Sequence, residues 1–319
     1  MSIETTHIPI MVTPILEGLL PPFRLAREEH WLVDCTLGGG GHTGEFLRAF
    51  DHIFAETGIR HSVLSVDRDP LAILRAQQRF EKQLESGVFA LHHGPFSSVA
   101  DAFEGKKVLG LLADLGFSSD QIDTDSRGFS FLREGPLDMR MDPTQGESAL
   151  GFLKSAREQE IADVLYVYGE ERLSRKIAAF IVEARRKGEL PETTTGLASL
   201  VSRAFPPAQR HGRIHPATRT FQALRIHVNR ELEELDCLLG EIIGKIVPGG
   251  RAAIMSFHSL EDRKVKQVFK GLPLDGTIQQ NRWSSLTKKP IEADEQELKQ
   301  NPRSRSAKLR IAERLESGR

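Results

Sequence analysis

A run of four glycines at 38–41 stands between an apolar tetrad, 30–33, and a segment, 45–50, with helical spacing. Asp34 and Thr36 lead into it, and His42, Thr43 and Gly44 follow. A strand, a glycine turn and a helix in that order form the mouth of a nucleotide pocket. Glycines let backbone approach a ligand, and a helix N-terminus offers free N–H groups. Gly39, Gly41 and Gly44 fit G-x-G-x-x-G, the dinucleotide fingerprint. The same loop suits the adenosine and methionine parts of S-adenosylmethionine, and a plain surface turn is the third reading.

Four further positions can add chemistry to the loop. Asp67 ends the apolar run 62–67, roughly 20 residues beyond the loop, where a ribose-binding carboxylate belongs. It is either that carboxylate or part of a solvated turn, since Asp67-Arg68-Asp69-Pro70 is also turn chemistry. Phe96 follows the run 88–93 and either covers an adenine ring or packs in the core. Asp114 ends the run 108–114. His258, after the run 252–257, either faces a substrate or caps the next helix. His92 and His93 point to opposite faces of a strand and cannot readily share a metal. No metal-ligand spacing is visible, and Cys35 and Cys237 make no disulfide or metal pattern, so both are read as buried free thiols.

The elements that must position these residues alternate strand and helix from 30 to 114, which predicts a parallel sheet. The carboxyl ends of its strands carry Asp34, Asp67, Phe96 and Asp114, the edge where open α/β sheets bind ligands. Thr13-Pro14 predicts a helix start, and Pro21-Pro22 its end. The alternation breaks near 125. Residues 125–213 are polar and helical, with helices expected over 147–154, 158–167 and 170–187. The expected division is 1–124 for the first part of the sheet domain, 125–213 for an inserted all-helical domain that binds substrate, and 214–319 for the second part. Residues 271–300 read as loop, and a terminal strand is expected over 307–312.

The 319 residues are 39% apolar and 27% charged, with a formal net charge of −1. Any nucleic-acid surface must then be a local patch. Residues 193–230 hold no acid, six arginines (203, 210, 213, 219, 225 and 230) and three histidines. Such a run suits a phosphate backbone, unless its arginines pair with the acids of 158–171 or 231–236. Arg303, Arg305, Lys308 and Arg310 form a second basic cluster. No run reaches the roughly 18 apolar residues of a membrane span, and residues 1–5 show no leader pattern, so a cytoplasmic protein without membrane contact is expected.

Ten stretches occur together in order. They include Thr36-Leu37-Gly38-Gly39-Gly40-Gly41-His42, Val66-Asp67-Arg68-Asp69-Pro70, His93-Gly94-Pro95-Phe96-Ser97 and Asp114-Leu115-Gly116-Phe117-Ser118-Ser119-Asp120-Gln121. Arg127-Gly128-Phe129-Ser130-Phe131, Pro136-Leu137-Asp138-Met139-Arg140-Met141-Asp142, Tyr168-Gly169-Glu170-Glu171-Arg172 and the run 215–223 continue the set, which 256–263 and 301–306 close. With them the chain resembles the MraW family of ribosomal RNA methyltransferases over about 7–314. The resemblance implies a class I, Rossmann-like methyltransferase with an inserted helical domain, and S-adenosylmethionine as donor. It implies methylation of the exocyclic N4 of one cytidine, position 1402, in the decoding region of 16S ribosomal RNA within the small subunit. A second copy of the chain, as a homodimer, is a further partner considered. The family's donor-binding positions fall on Gly40, Gly41, His42, Asp67, Phe96, Asp114 and Gln121. Asp114 is the candidate catalytic residue, either holding the donor or orienting the base. Arg213 and Arg219 are the candidate RNA contacts. A nicotinamide oxidoreductase, an RNA-binding assembly factor with a vestigial donor pocket, and a methylase of another nucleic acid are the competing readings.

Overall fold

A computed structural model describes residues 9–210, 212, 214–272 and 283–316. Its contacts divide into two compact units, 1–116 with 232–319, and 117–231.

The first unit is built on a seven-stranded sheet: β1 (Trp31–Asp34), β2 (Ser62–Asp67), β3 (Phe89–His93), β4 (Val108–Asp114), β5 (Arg251–Ser256), β6 (Trp283–Ser285) and β7 (Lys308–Arg314). The order is β3-β2-β1-β4-β5-β7-β6, with β7 antiparallel to both its neighbours and the other pairs parallel. This is an open, mostly parallel sheet of the Rossmann-like kind. β4 reads as an unbroken apolar run because both its faces are covered: Val108, Leu111, Leu112 and Ala113 are fully buried. The chain runs outward from β1 to β3, then returns to place β4 on the other side of β1. That reversal opens a crevice at the carboxyl ends of β1 and β4. Asp34 pairs in register with Leu112, so Asp114 stands two residues further out on the neighbouring strand.

Local details depart from the sequence expectations. The first helix, Val12–Leu19, takes Met11 as its N-cap at φ 52°, so Thr13 and Pro14 lie inside its first turn. The first helix does end ahead of Pro21-Pro22, at Leu19, but Pro21 at once begins a second helix, Pro21–Leu25, since a proline without an N–H loses nothing at a first helical position. Within 271–300, where loop was expected, lie β6 and the helix Glu295–Gln300, and 273–282 fall outside the described residues. Cys35 is buried, whereas Cys237 is only half-buried.

The second unit, between β4 and β5 in sequence, is helical, with one isolated bridge among its described residues, Pro136 to Thr193. The expected division gave 214–319 to the sheet domain, but the helix Thr218–Asn229 packs in this unit. Its Phe221, Ala223 and Leu224 share one core with Ile161 and Leu165 of the helix Glu158–Gly169 and Ile177 of the helix Ser174–Arg186. An apolar stripe decides where a helix goes, and charge content does not. The 127–142 stretch is held from within: Arg127 Nη2 donates to the carbonyls of Arg140 (3.2 Å) and Met141 (2.7 Å). Asn229 Nδ2 donates to the Met139 carbonyl (2.7 Å), and its Oδ1 accepts from the Met141 amide (2.7 Å).

Replacing Asn229→Ala strands those two buried backbone groups, each worth about 1–3 kcal/mol. We expect a loss of about 2–5 kcal/mol by chemical denaturation, with faster hydrogen exchange at the Met141 amide. Exchange at parental rates would show that the loop holds itself.

Candidate active site

Asp34, wholly buried at the end of β1, organises the glycine loop. Its Oδ1 accepts from the Thr36 amide (3.1 Å), and its Oδ2 from Thr43 Oγ1 (2.7 Å). Thr43 Oγ1 also meets Ser65 Oγ of β2 at 2.7 Å. One carboxylate thus ties together the loop entrance, the helix Gly41–Thr57 and the next strand. Gly40 caps that helix in the left-handed region at φ 73°, and a Cβ there would lie 2.8 Å from the Phe80 ring. A Cβ on Gly41 would meet Pro9 at 3.0 Å. Arg79 Nη1 donates to the Gly39 carbonyl (2.6 Å) and fixes the loop from outside. Sequence reasoning missed this clamp, because nothing local joins residues 40 positions apart.

Asp67 ends β2. Its Oδ2 accepts from the Gly38 amide and its Oδ1 from the Asp69 amide, both at 2.8 Å. Burial pushes its carboxyl up to about 6, with the charges of Asp69 and Asp34 adding to the rise against the lowering by the two amides. Each oxygen keeps a lone pair, so a diol can still be accepted. Phe96, half-buried, opens the turn Phe96–Ser98. The turn is held at Ser97, whose amide and hydroxyl donate to Glu234 (2.9 and 3.0 Å).

Asp114 stands across the crevice on β4, its amide donating to Thr36 Oγ1 (2.7 Å). Its Oδ2 lies 3.8 Å from Nε2 of the buried His42, while its Oδ1 has no hydrogen-bond partner among the described residues. Burial drives its carboxyl up to about 8, and the charges of Asp34 and Glu261 add to the rise. Gly40, Gly41, His42, Asp67 and Asp114 therefore meet on the carboxyl edge of β1, β2 and β4, with Phe96 after β3. Gln121 belongs to the second unit, where it is buried and its Oε1 accepts from the Ser118 amide (3.0 Å).

His258 caps a helix: its Nδ1 accepts from the Glu261 amide (3.4 Å), and Glu261 Oε2 takes the amides of Phe257 (2.8 Å) and His258 (3.3 Å). The basic stretches are not uniform. Arg225 gives both nitrogens to Glu231 at 2.8 Å and lies 4.6 Å over the Phe117 ring, so it is spent inside the fold. Arg310 does the same with Asp262 (2.7 and 3.1 Å). Arg219 is exposed, with one donor on the Glu170 carbonyl (3.2 Å). Arg213 lies outside the described residues.

A pH dependence follows for Asp114. Its proton is held by the folded chain and lost by the unfolded chain between about 3.8 and about 8. Stability is thus fullest below that window and falls as pH rises through it. Asp114→Asn removes this component. The variant should gain on the parent across the window, by on the order of 1–3 kcal/mol at its upper end. Denaturation curves that stay parallel from acid to alkaline pH would contradict the assignment.

Residues 4–315 match the MraW methylase family. A curated relative from Synechococcus elongatus, named ribosomal RNA small subunit methyltransferase H, is 43% identical over 309 residues, covering 97% of this chain and 95% of its own. Proteins of the same name from Xanthomonas campestris pv. campestris and Prochlorococcus marinus are each 43% identical. Both alignments cover 97% of this chain, with 87% and 94% of the relatives' lengths. With its glycine loop and its two carboxylates on one sheet edge, this chain belongs to the MraW methylase family.

Proposed function

We propose that this chain transfers a methyl group from S-adenosylmethionine to the exocyclic N4 of one cytidine in the decoding region of 16S ribosomal RNA, within the small ribosomal subunit. The coarser part, methylation of small-subunit ribosomal RNA, is supported by family membership and by the relatives' shared name. The observation that carries the chemistry is Asp114 Oδ1, a polar atom on the ligand-binding edge of the sheet with no hydrogen-bond partner among the described residues.

The residues present fit this donor. The loop at Gly40 and Gly41 has no room for side chains, so backbone lines the pocket. Asp67 retains acceptors for a ribose diol, Phe96 offers a half-buried ring to an adenine, and Asp114 and His42 complete the polar wall. Gln121 is assigned to the same task from the family motif. When bound, S-adenosylmethionine supplies a methyl activated by its sulfonium charge. The cytosine amino group is a weak nucleophile, its lone pair being delocalised into the ring. Asp114 Oδ1 accepts one amino proton as a hydrogen bond, localises that pair, and provides the site to which the proton passes on transfer. Its raised pKa keeps the carboxyl neutral near pH 7 in the free chain, and a cation in the pocket favours the ionised acceptor. Alignment of the two partners supplies much of the remaining rate. The second unit, with Arg213 and Arg219, is assigned to the RNA, and the target base must leave its stack to react.

Labelled S-adenosylmethionine should place label in N4-methylcytidine of small subunits lacking the modification. Free 16S RNA and DNA serve as comparisons. Asp114→Ala should lower kcat by about 10²–10⁴-fold in a folded chain; normal turnover would remove Asp114 from the reaction. Donor binding without transfer to any substrate would favour a vestigial pocket. Arg219→Ala should weaken RNA binding and reduce its salt slope by about 0.7–0.9, and an unchanged slope would take Arg219 off the RNA surface.

A further inference from the structure

A groove of about 410 Å³ opens on the second unit, with Phe131, Ser199, Arg203, Arg210 and His215 in its lining. That volume is in the range of a small-molecule pocket. None of these residues belongs to the donor site, and neither arginine was a candidate RNA contact in the sequence beyond membership of the acid-free run.

The groove has an aromatic wall. The rings of Phe131 and His215 stack with centroids 4.8 Å apart at 30°. Phe131 is fixed from behind by the edge of Phe221, at 4.9 Å and 66°. His215 Nδ1 accepts from the Ala217 amide (3.1 Å), which puts the ring proton on Nε2 and makes that atom a donor. Leu132 and Ile214, next in sequence to the two rings, are 85% and 65% exposed. The rings are therefore flanked by bare apolar side chains, which water solvates poorly.

It also has a cationic wall. The Arg203 side chain is exposed and makes no hydrogen bond or ion pair among the described residues. Arg210 donates from Nε to the Phe205 carbonyl (3.0 Å), which orients its guanidinium, and its Nη1 makes no hydrogen bond among the described residues. Two carboxylates lie near the groove: Glu134 accepts from Thr195 Oγ1 of the lining (3.1 Å), and Glu183, which feels the charge of Arg203, is engaged by Lys187 Nζ (2.7 Å). The contrast lies in the same unit. A second groove, of about 580 Å³, also has aromatic residues but is lined by Glu160 and Asp163, which would repel a phosphate.

A fixed ring face beside two guanidinium groups is how single-stranded nucleic acid is held, with a base stacked on the ring and the backbone on the cations. We propose that the groove is a subsite for one unstacked nucleotide of the RNA, its base against the Phe131–His215 pair and its phosphate between Arg203 and Arg210. The proposal rests on the RNA reading above and deepens it. It adds an RNA contact made by residues outside the donor site.

The test uses the full chain and two changes, Phe131→Leu and Arg203→Gln. The probes are unmodified small subunits and a single-stranded oligoribonucleotide carrying 2-aminopurine, whose fluorescence is quenched by stacking. Phe131→Leu should weaken oligonucleotide binding by about 5- to 150-fold and abolish the quench. Arg203→Gln should lower the salt slope by about 0.7. Both should raise KM for subunits while leaving kcat and S-adenosylmethionine affinity near the parent's. Phe131 also touches the core, so Arg203→Gln decides the matter if the leucine variant misfolds. A parent that methylates subunits while Arg203→Gln binds RNA with unchanged affinity and slope overturns the subsite alone. A parent that neither binds nor methylates RNA overturns the subsite and the proposed function together.

Discussion

A carboxylate with no exposure to water has to be satisfied by the protein, and Asp34 is such a group. Its two oxygens take the Thr36 amide and the Thr43 hydroxyl, and Thr43 reaches on to Ser65. The glycine loop cannot move at either end without breaking one of these bonds. Thr36 in turn accepts from the Asp114 amide, so the same network fixes the strand across the crevice. The charge of Asp34 also acts at a distance. Together with burial it raises the carboxyls of Asp67 and Asp114, the two groups that face the crevice. Asp34 thus fixes position at the sheet edge, while protonation there is set first by burial, to which the charge of Asp34 adds.

The second unit shows a different economy. Its long motif at 127–142 suggests substrate contact by its wording alone, yet much of that wording is used internally. Arg127 and Asn229 satisfy backbone at 139–141, where Met139 sits at φ 63°. Arg140 grips Asp138 through two bonds of 2.8 Å. Buried backbone groups need partners, and an irregular loop has no ladder to supply them, so side chains at fixed places do so. What the motif leaves over for a ligand is its aromatic edge, where Phe131 meets His215.

The acid-free run divides in the same way. Arg225 is neutralised by Glu231 and backed by Phe117, and it contributes to the fold. Arg203 and Arg219 stay exposed. Six arginines in a row of acid-free sequence thus do not make six phosphate contacts. The second basic cluster loses Arg310 to Asp262 by the same mechanism. A charged side chain brought out of water needs a partner, and the acid that provides it can lie far away in the chain.

The sequence by itself determined the parallel sheet, the place of the glycine loop and the order of the site residues on the strands. These follow from local signals: apolar runs of strand length, glycines where a side chain would collide with Phe80 or Pro9, and acids at strand ends. It also carried the motifs that reveal the family. Tertiary structure alone decided the rest. It assigned the helix Thr218–Asn229 to the second unit through its apolar face. It made His258 a cap, set Arg79 on the loop, and sorted spent arginines from exposed ones. It also left Asp114 Oδ1 at the crevice without a partner among the described residues. Each of these outcomes depends on which groups meet across long stretches of chain, and local spacing carries no record of that.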